Sequence, residues 1–253
     1  MRKLLLTICI FLVMLLSCNQ TPGEPKGKVG DGMEYYFPID DLKQPKVYHY
    51  KPADSNEPDM YWLLYAESSQ GEEFLITDSY SLDSKGKVSH IEWLKERVTR
   101  QSAYVENYTM IYHGYQGSEV PMRSHIKSDV VFEGQLEKDD SFIWSYTMTV
   151  ANTEGVKEQM QRTRTYTGNA VEIDFENKKV EALVFRDKYL ITRTKFENII
   201  ETTVYDQYSY YAKGIGMIYY KRTIGENTYE YKLNHIYKID DPSIPETVRK
   251  AYN

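Results

Sequence analysis

The sequence predicts an all-β fold: a single curved antiparallel sheet, forming an open half-barrel or a barrel-like sandwich, with a short C-terminal helix. Three observations lead to this prediction. Apolar and polar residues alternate after residue 33, turn-forming residues separate the alternating runs, and tyrosine accounts for 24 of the 253 residues. Alternation with period two is typical of antiparallel strands packed on one side, and tyrosine suits half-buried sheet faces.

The chain begins with a segment typical of export. Arg2 and Lys3 precede the apolar run 4–16, which is too short to span a bilayer, and a small residue then precedes Cys18. The motif Leu15-Leu16-Ser17-Cys18 resembles the lipobox of bacterial lipoproteins. This resemblance implies that residues 1–17 are a signal peptide and that Cys18 becomes the lipidated N-terminus, with palmitate an expected acyl group. It also implies a place in the cell envelope, anchored in the outer membrane of a Gram-negative bacterium.

The rest of the chain divides into a tether and one domain. Residues 18–32 hold the lipidated cysteine and a flexible, glycine- and proline-rich tether, and residues 33–253 form a single antiparallel β domain. Cys9 is lost with the leader, so the mature domain has no thiol for a disulfide, a metal or nucleophilic catalysis. The formal charge of −6 argues against a nucleic-acid partner. The predicted membrane contact is through the lipid alone.

The alternating runs identify individual strands. Phe142 to Val150, Tyr229 to Tyr237 and Tyr104 to Tyr112 each place aromatic and apolar residues on one face. Met60 to Ala66 is apolar on both faces, which predicts a central or doubly covered strand. The sequence Asp83-Ser84-Lys85-Gly86 predicts a turn with a glycine bulge. Other turns are expected at Thr153-Glu154-Gly155, Glu176-Asn177-Lys178-Lys179 and Gly225-Glu226-Asn227.

The C-terminus is the best helix candidate. Ser243 is a potential cap, Pro245 suits the first turn, and Val248 and Tyr252 lie one turn apart.

No motif for catalysis, a metal or a cofactor occurs, and the five histidines are scattered. Arg162 and Arg164 share one face of a strand that is polar on both faces. Such a strand is either exposed, as at a sheet edge, or lines a wet cavity where two arginines grip a carboxylate or phosphate. The exposed or edge strand is the simpler interpretation.

Two glycines mark the segment Tyr210-Tyr211-Ala212-Lys213-Gly214-Ile215-Gly216-Met217-Ile218-Tyr219-Tyr220. We expect Gly214 or Gly216 to take positive φ or to let another segment approach closely. With the strand that follows, this segment resembles the closing hairpins of uncharacterised envelope lipoproteins whose open β half-barrel is similar to the Lol-type lipoprotein carriers. The resemblance implies an apolar concavity that holds an acyl chain or another amphipathic ligand.

The leading hypothesis is a non-enzymatic, lipid-anchored envelope protein that binds a lipid, another amphipathic ligand or an envelope partner protein. The proposed contacts are the aromatic residues of two strand faces, which are otherwise simply core: Trp144, Tyr146, Tyr229, Tyr231 and Tyr237. One alternative is a surface glycan-binding module using Trp62, Trp93 or Trp144, of which Trp93 is expected to be exposed. A second is a hydrolase of unrecognised type, which an opposed carboxylate pair in a cleft would favour.

Overall fold

The computed structural model describes residues 28–29, 31–114 and 118–252, and most of these are in β-strands. The predicted signal peptide, Cys18 and residues 19–27 of the predicted tether lie outside the described residues and stay predictions. Residues 28–29 and Gly32, which the sequence assigns to the tether, take part in regular structure.

Fourteen strands, two short α-helices and one 3-10 helix are present in the described part of the chain. In chain order the strands are β1 Lys28–Val29, β2 Lys46–Pro52, β3 Asp59–Ser69, β4 Glu72–Leu82, β5 Val88–Val98, β6 Ser102–His113, β7 Glu119–Glu133, β8 Leu136–Glu137, β9 Ser141–Thr149, β10 Val156–Phe175, β11 Lys178–Lys195, β12 Asn198–Ala212, β13 Gly216–Ile224 and β14 Asn227–Lys238. The helices are the 3-10 helix Gly32–Tyr35, α1 Ile39–Leu42 and α2 Glu246–Ala251.

Twelve of these strands form one closed antiparallel barrel. Each barrel strand pairs with the next along the chain, and β14 pairs with β2 to close the sheet, with Lys238 opposite Lys46. Strands β1 and β8 form a separate two-stranded pair. The predicted all-β fold, with a single curved antiparallel sheet and a short C-terminal helix, is confirmed. Closure removes the free edges of the sheet.

Apolar side chains pack on both sides of part of the barrel wall. The interior holds the main core, in which the rings of Phe132, Phe185 and Tyr211 lie 5.1–5.6 Å apart. A second cluster lies on the outer face, where Val248 of α2 is fully buried with Val47 of β2 and its neighbours. The outer cluster covers the side of β3 that faces away from the core. The prediction that β3 is doubly covered is therefore confirmed.

Residues 32–42, which precede β2 and are called the plug below, close one end of the barrel. Tyr36 and Phe37 enter the main core, and the Tyr36 ring lies 5.1 Å from Phe132. The backbone N–H of Gly214 donates to the Glu34 carbonyl at 2.8 Å. Both Gly214 and Gly216 have positive φ, as expected, and a Cβ on Gly216 would lie 2.3 Å from the Phe37 ring. Glycine is needed there because the plug packs directly on the start of β13.

Two β-bulges change the faces predicted from alternation. A register shift follows Leu233 in the β14–β2 pair, and beyond it Tyr237 joins the outer cluster instead of the interior. A second shift lies between β5 and β6, so that Tyr104 stacks under Arg97 while Tyr108 is buried in the main core. One extra residue in a strand moves every later side chain to the opposite face.

Candidate ligand site in the barrel interior

The barrel encloses a cavity of about 430 Å³. Its closed end is formed by Tyr36 and Phe37 of the plug together with Tyr211 and Met217. Arg193 and Arg222, near the far ends of β11 and β13, line the opposite part, and the Arg193 side chain is 43% exposed. The cavity therefore runs from the plug towards the end of the barrel that carries the β4–β5 and β13–β14 turns.

One part of the cavity lining is apolar and flexible. Met60, Met110 and Met160 line it together with Leu94 and Ile191. Methionine adapts to irregular shapes because its side chain is unbranched and polarisable. Trp144 and Tyr146 of β9 add two aromatic faces, and the Tyr108 ring lies 5.3 Å from Trp144 and 4.9 Å from Tyr146. This combination suits the apolar part of a small molecule.

Arg164, which lines the cavity near the plug, belongs to a buried ion pair. Arg164 of β10 donates from Nε and Nη2 to the two carboxylate oxygens of Asp187, at 2.6 and 3.0 Å. Arg164 Nη1 donates to the Tyr211 hydroxyl at 2.8 Å, and Ser209 Oγ donates to Asp187 at 2.5 Å. Burial alone would raise the pKa of Asp187, but the Arg164 guanidinium reverses this and lowers it. Both charges are satisfied within the protein, so this pair is structural.

A second ion pair lies towards the open part of the cavity. Arg193 Nε donates to Glu158 at 2.9 Å, and the Tyr146 hydroxyl lies 3.4 Å from the other carboxylate oxygen. Glu158 itself is only 5% exposed. Arg193 is half-exposed and also donates to Glu201 at 3.0 Å. Glu158 is thus a buried carboxylate held by an arginine that reaches it from the surface.

Two further acids line the cavity without an arginine in direct contact. Burial raises the pKa of Glu96 to about 7, although the nearby Arg162 and Arg164 oppose the shift. Burial also raises the pKa of Glu92, which accepts a hydrogen bond of 2.9 Å from the Tyr108 hydroxyl. Near neutral pH, Glu96 is therefore distributed between its neutral and charged forms.

Four buried nitrogen donors in the lining have no hydrogen-bond partner within the described chain. They are Arg162 Nε, Arg222 Nε and the indole Nε1 atoms of Trp62 and Trp144. Arg162 and Trp144 are 6% and 8% exposed, and the Arg162 guanidinium lies over the Trp144 ring at 5.1 Å. Buried polar groups are ordinarily paired, so unpaired donors on residues that line one cavity suit a molecule rich in acceptor atoms.

Two of the five predicted contact residues line the cavity, and the other three do not. Trp144 and Tyr146 line the cavity. The Tyr231 ring stacks on the Tyr220 ring, with the ring centres 5.1 Å apart. Tyr229 pairs with Arg222 in the β13–β14 ladder. Tyr237 lies on the outer face. The expectation that Tyr229, Tyr231 and Tyr237 share one face with Leu233 is wrong for Tyr237, because of the bulge after Leu233.

The interpretation of Arg162 and Arg164 as an exposed or edge strand is wrong. Strand β10 pairs on both sides, with β9 and β11, and both arginines point into the barrel. Their buried positions alternate with the more exposed Gln161, Thr163 and Thr165. The other interpretation of this polarity, a strand that lines a cavity, agrees with the structure. Sequence reasoning missed Arg222, Glu92 and Glu96, because no pattern in β5 or β13 distinguishes them from surface charges.

The tryptophans bear on the glycan alternative. Trp144 is buried and Trp62 is half-buried, and both line the barrel interior. Trp93, which the sequence predicts to be exposed, is half-buried beside a shallow surface groove with Asn107 and Arg123. Trp93 is therefore the tryptophan that a glycan on the outer surface would meet.

Within the described ranges, no group of three or more histidine, cysteine, aspartate or glutamate residues is arranged to hold a metal ion. No helix in the described part of the chain is long and apolar enough to cross a membrane.

Comparison with solved structures identifies two similar chains, both at low sequence identity. One, from Bacteroides fragilis, is a protein predicted to be exported and has a YmcC-like fold. The match has 11% identity and a TM-score of 0.53, and it covers 80% of this chain and 99% of that one. The other, from Parabacteroides distasonis, is a predicted lipoprotein with 12% identity and a TM-score of 0.48, covering 80% and 97%. No protein-family model and no curated protein matches. The Bacteroides likeness shows a similar fold.

Proposed function

We propose that this chain is a non-enzymatic, lipid-anchored protein of the cell envelope that binds a small amphipathic ligand inside its barrel. The lipobox-like motif ending at Cys18 supports export and anchoring, in the outer membrane of a Gram-negative bacterium. The descriptions of the two similar structures, an exported protein and a lipoprotein, agree with a place in the envelope.

The observation that carries the binding proposal is the composition of the cavity wall. A volume of about 430 Å³ falls within the range of roughly 300–1,000 Å³ typical of small-molecule sites. The wall joins an apolar methionine and aromatic surface to buried donors without partners. Trp144 and Tyr146 are the proposed aromatic contacts. The driving force would be removal of apolar ligand surface from water, at about 25 cal/mol per Å² before ordering costs.

Native mass spectrometry tests this proposal. Residues 19–253, which contain every described residue, are exported to the periplasm, purified without detergent and analysed with and without denaturation. We expect a defined mass adduct that is lost on unfolding. Met160→Trp, which fills the cavity, is expected to lack the adduct while keeping the wild-type circular dichroism spectrum. The proposal is overturned by a protein that carries no adduct and takes up none from a lipid extract of the producing cells.

If the barrel binds no ligand, the alternative that the chain binds a partner protein gains support. The exposed apolar side chains Phe196, Ile199, Ile200 and Val204, at the β11–β12 turn and along β12, offer a surface for such a contact.

The cavity carboxylates favour one second candidate, hydrolysis of a glycosidic bond. Glu96, with a pKa raised by burial to about 7, has the property of a general acid, and Glu158 is a carboxylate held by Arg193. Release of reducing sugar from envelope glycans, lost in both Glu96→Gln and Glu158→Gln, would establish this activity. A non-enzymatic binding protein releases none.

A further inference from the structure

The cavity holds more arginine charge than its ion pairs neutralise. Arg164 is paired with Asp187, and Arg193 is paired with Glu158. Arg162 and Arg222 also line the cavity, and neither forms an ion pair with a carboxylate of the described residues. Two of the four arginines are therefore without a carboxylate of the described residues in direct contact.

The surroundings of Arg162 leave part of its guanidinium unused. Its Nη2 donates to the Val131 carbonyl at 3.2 Å, and its plane lies over the Trp144 ring. Its Nε has no partner within the described ranges, although the side chain is almost completely buried. A buried guanidinium with an unused donor is costly unless an acceptor meets it, and a negatively charged acceptor also balances the charge. Such an acceptor would make a charge-assisted hydrogen bond.

Arg222 lines another part of the wall, is less buried than Arg162, and interacts with the side chains of Tyr205 and Tyr220. Its guanidinium lies 5.5 Å from the centre of the Tyr220 ring, and its Nε also lacks a partner among the residues that the structure describes. Trp62 and Trp144, whose indole N–H groups are buried and unpaired, line the same cavity. All four groups donate, so they favour an acceptor and would be left unsatisfied by an alkyl group.

We propose that the ligand is a single-chain amphipathic anion. Its carboxylate or phosphate ester would be held by Arg162 and Arg222 with help from the Trp144 indole. Its apolar chain would lie against Met60, Met110 and Met160. This inference rests on the proposed function, since it names the chemical class of the molecule in the barrel.

Glu96 carries less than a full negative charge below neutral pH, because burial raises its pKa to about 7. Burial raises the pKa of both Glu92 and Glu96, so each loses its negative charge at a higher pH than an exposed glutamate does. An anion entering the cavity would stabilise the neutral form of Glu96, and its binding would weaken as the pH rises above about 7.

Isothermal titration calorimetry with four probes tests the inference on residues 19–253. The probes are laurate, dodecyl phosphate, dodecanol and inorganic phosphate. We expect laurate or dodecyl phosphate to bind at least about tenfold more tightly than dodecanol, because a hydrogen bond to a charged group contributes about 1.5–3 kcal/mol. Inorganic phosphate, which lacks the apolar chain, is expected to bind more weakly than dodecyl phosphate.

Two arginine variants test whether Arg162 and Arg222 bind the anionic group. Arg162→Gln and Arg222→Gln are each expected to weaken binding of the anionic probes by about tenfold or more and to leave dodecanol unchanged. The matched control is Arg186→Gln, which removes an exposed arginine paired with Asp206 outside the cavity. Trp144→Phe removes the indole N–H together with part of the ring beneath Arg162. It serves as a second variant if Arg162→Gln fails to fold, as judged by circular dichroism.

The outcomes separate this inference from the proposed function. Equal binding of laurate and dodecanol, unaffected by either arginine variant, would refute the proposal that the ligand is an anion. It would leave the proposal of an apolar ligand site in place. If inorganic phosphate binds as tightly as dodecyl phosphate, the proposal that the ligand has an apolar chain is refuted. Failure of all four probes, together with the absence of a co-purifying mass, would count against the proposed function itself.

Discussion

Replacing Glu96 with glutamine is expected to stabilise the barrel progressively as the pH rises. Glu96 is 3% exposed, and burial raises its pKa from the ordinary 4.5 to about 7. Below pH 4.5 the carboxyl is neutral in both the folded and the unfolded chain and has no effect on the pH dependence of stability. Between pH 4.5 and 7 the unfolded chain releases a proton that the folded chain keeps, so the free energy of unfolding falls.

The magnitude follows from the two pKa values. A difference of one pKa unit corresponds to about 1.4 kcal/mol, so an ionised Glu96 lowers the free energy of unfolding by about 3 kcal/mol at pH 8. Glutamine cannot ionise and therefore does not incur this cost. A carboxyl kept at such a cost to stability is typical of a functional site.

Urea unfolding of wild type and Glu96→Gln at several values between pH 4.5 and 8 measures the effect. The difference in the free energy of unfolding should be smallest at pH 4.5 and should increase by about 3 kcal/mol by pH 8. Glu226→Gln, at an exposed turn, is the control and should show no comparable increase. A difference for Glu96→Gln that stays constant with pH would refute the burial of an ionisable Glu96.

Three further predictions concern stability, measured by urea unfolding at pH 7. Asp187→Asn leaves Arg164 buried without its carboxylate and should cost about 3–5 kcal/mol; a cost below 1 kcal/mol would mean that the pair is solvated. Gly216→Ala places a methyl group against the Phe37 ring at positive φ and should cost at least about 1–3 kcal/mol, whereas an unchanged midpoint would contradict the close packing of the plug. Val248→Ala removes buried methyl groups from α2 and should cost roughly 2 kcal/mol, and no loss would show that α2 does not dock on the barrel.

Local pattern was sufficient to predict most strands and turns. The alternation from Phe142 to Met148 matches the buried face of β9, and the predicted turn at Asp83 is closed by a backbone bond from Gly86 N–H to the Asp83 carbonyl at 3.0 Å. The predicted C-terminal helix is present as α2, although it begins after Pro245 and has no side-chain cap. These features depend on residues close together in the chain, which is why the sequence reveals them.

The features that the sequence did not predict depend on contacts between segments that are distant in the chain. Closure requires β14 to pair with β2 across nearly the whole domain, and alternation within a strand carries no signal for that. The bulge after Leu233 reverses the face of Tyr237, and nothing in the local sequence marks it. The charges of β10 were visible, but only the barrel shows that Arg162 is buried.

A crystal structure of residues 19–253 saturated with laurate tests the central claim most directly. The account predicts one ordered laurate inside the barrel, with its carboxylate within hydrogen-bond distance of Arg162 Nε and its chain against Met60, Met110 and Met160. Laurate bound only on the outer surface, or an interior filled by repacked side chains, would contradict it.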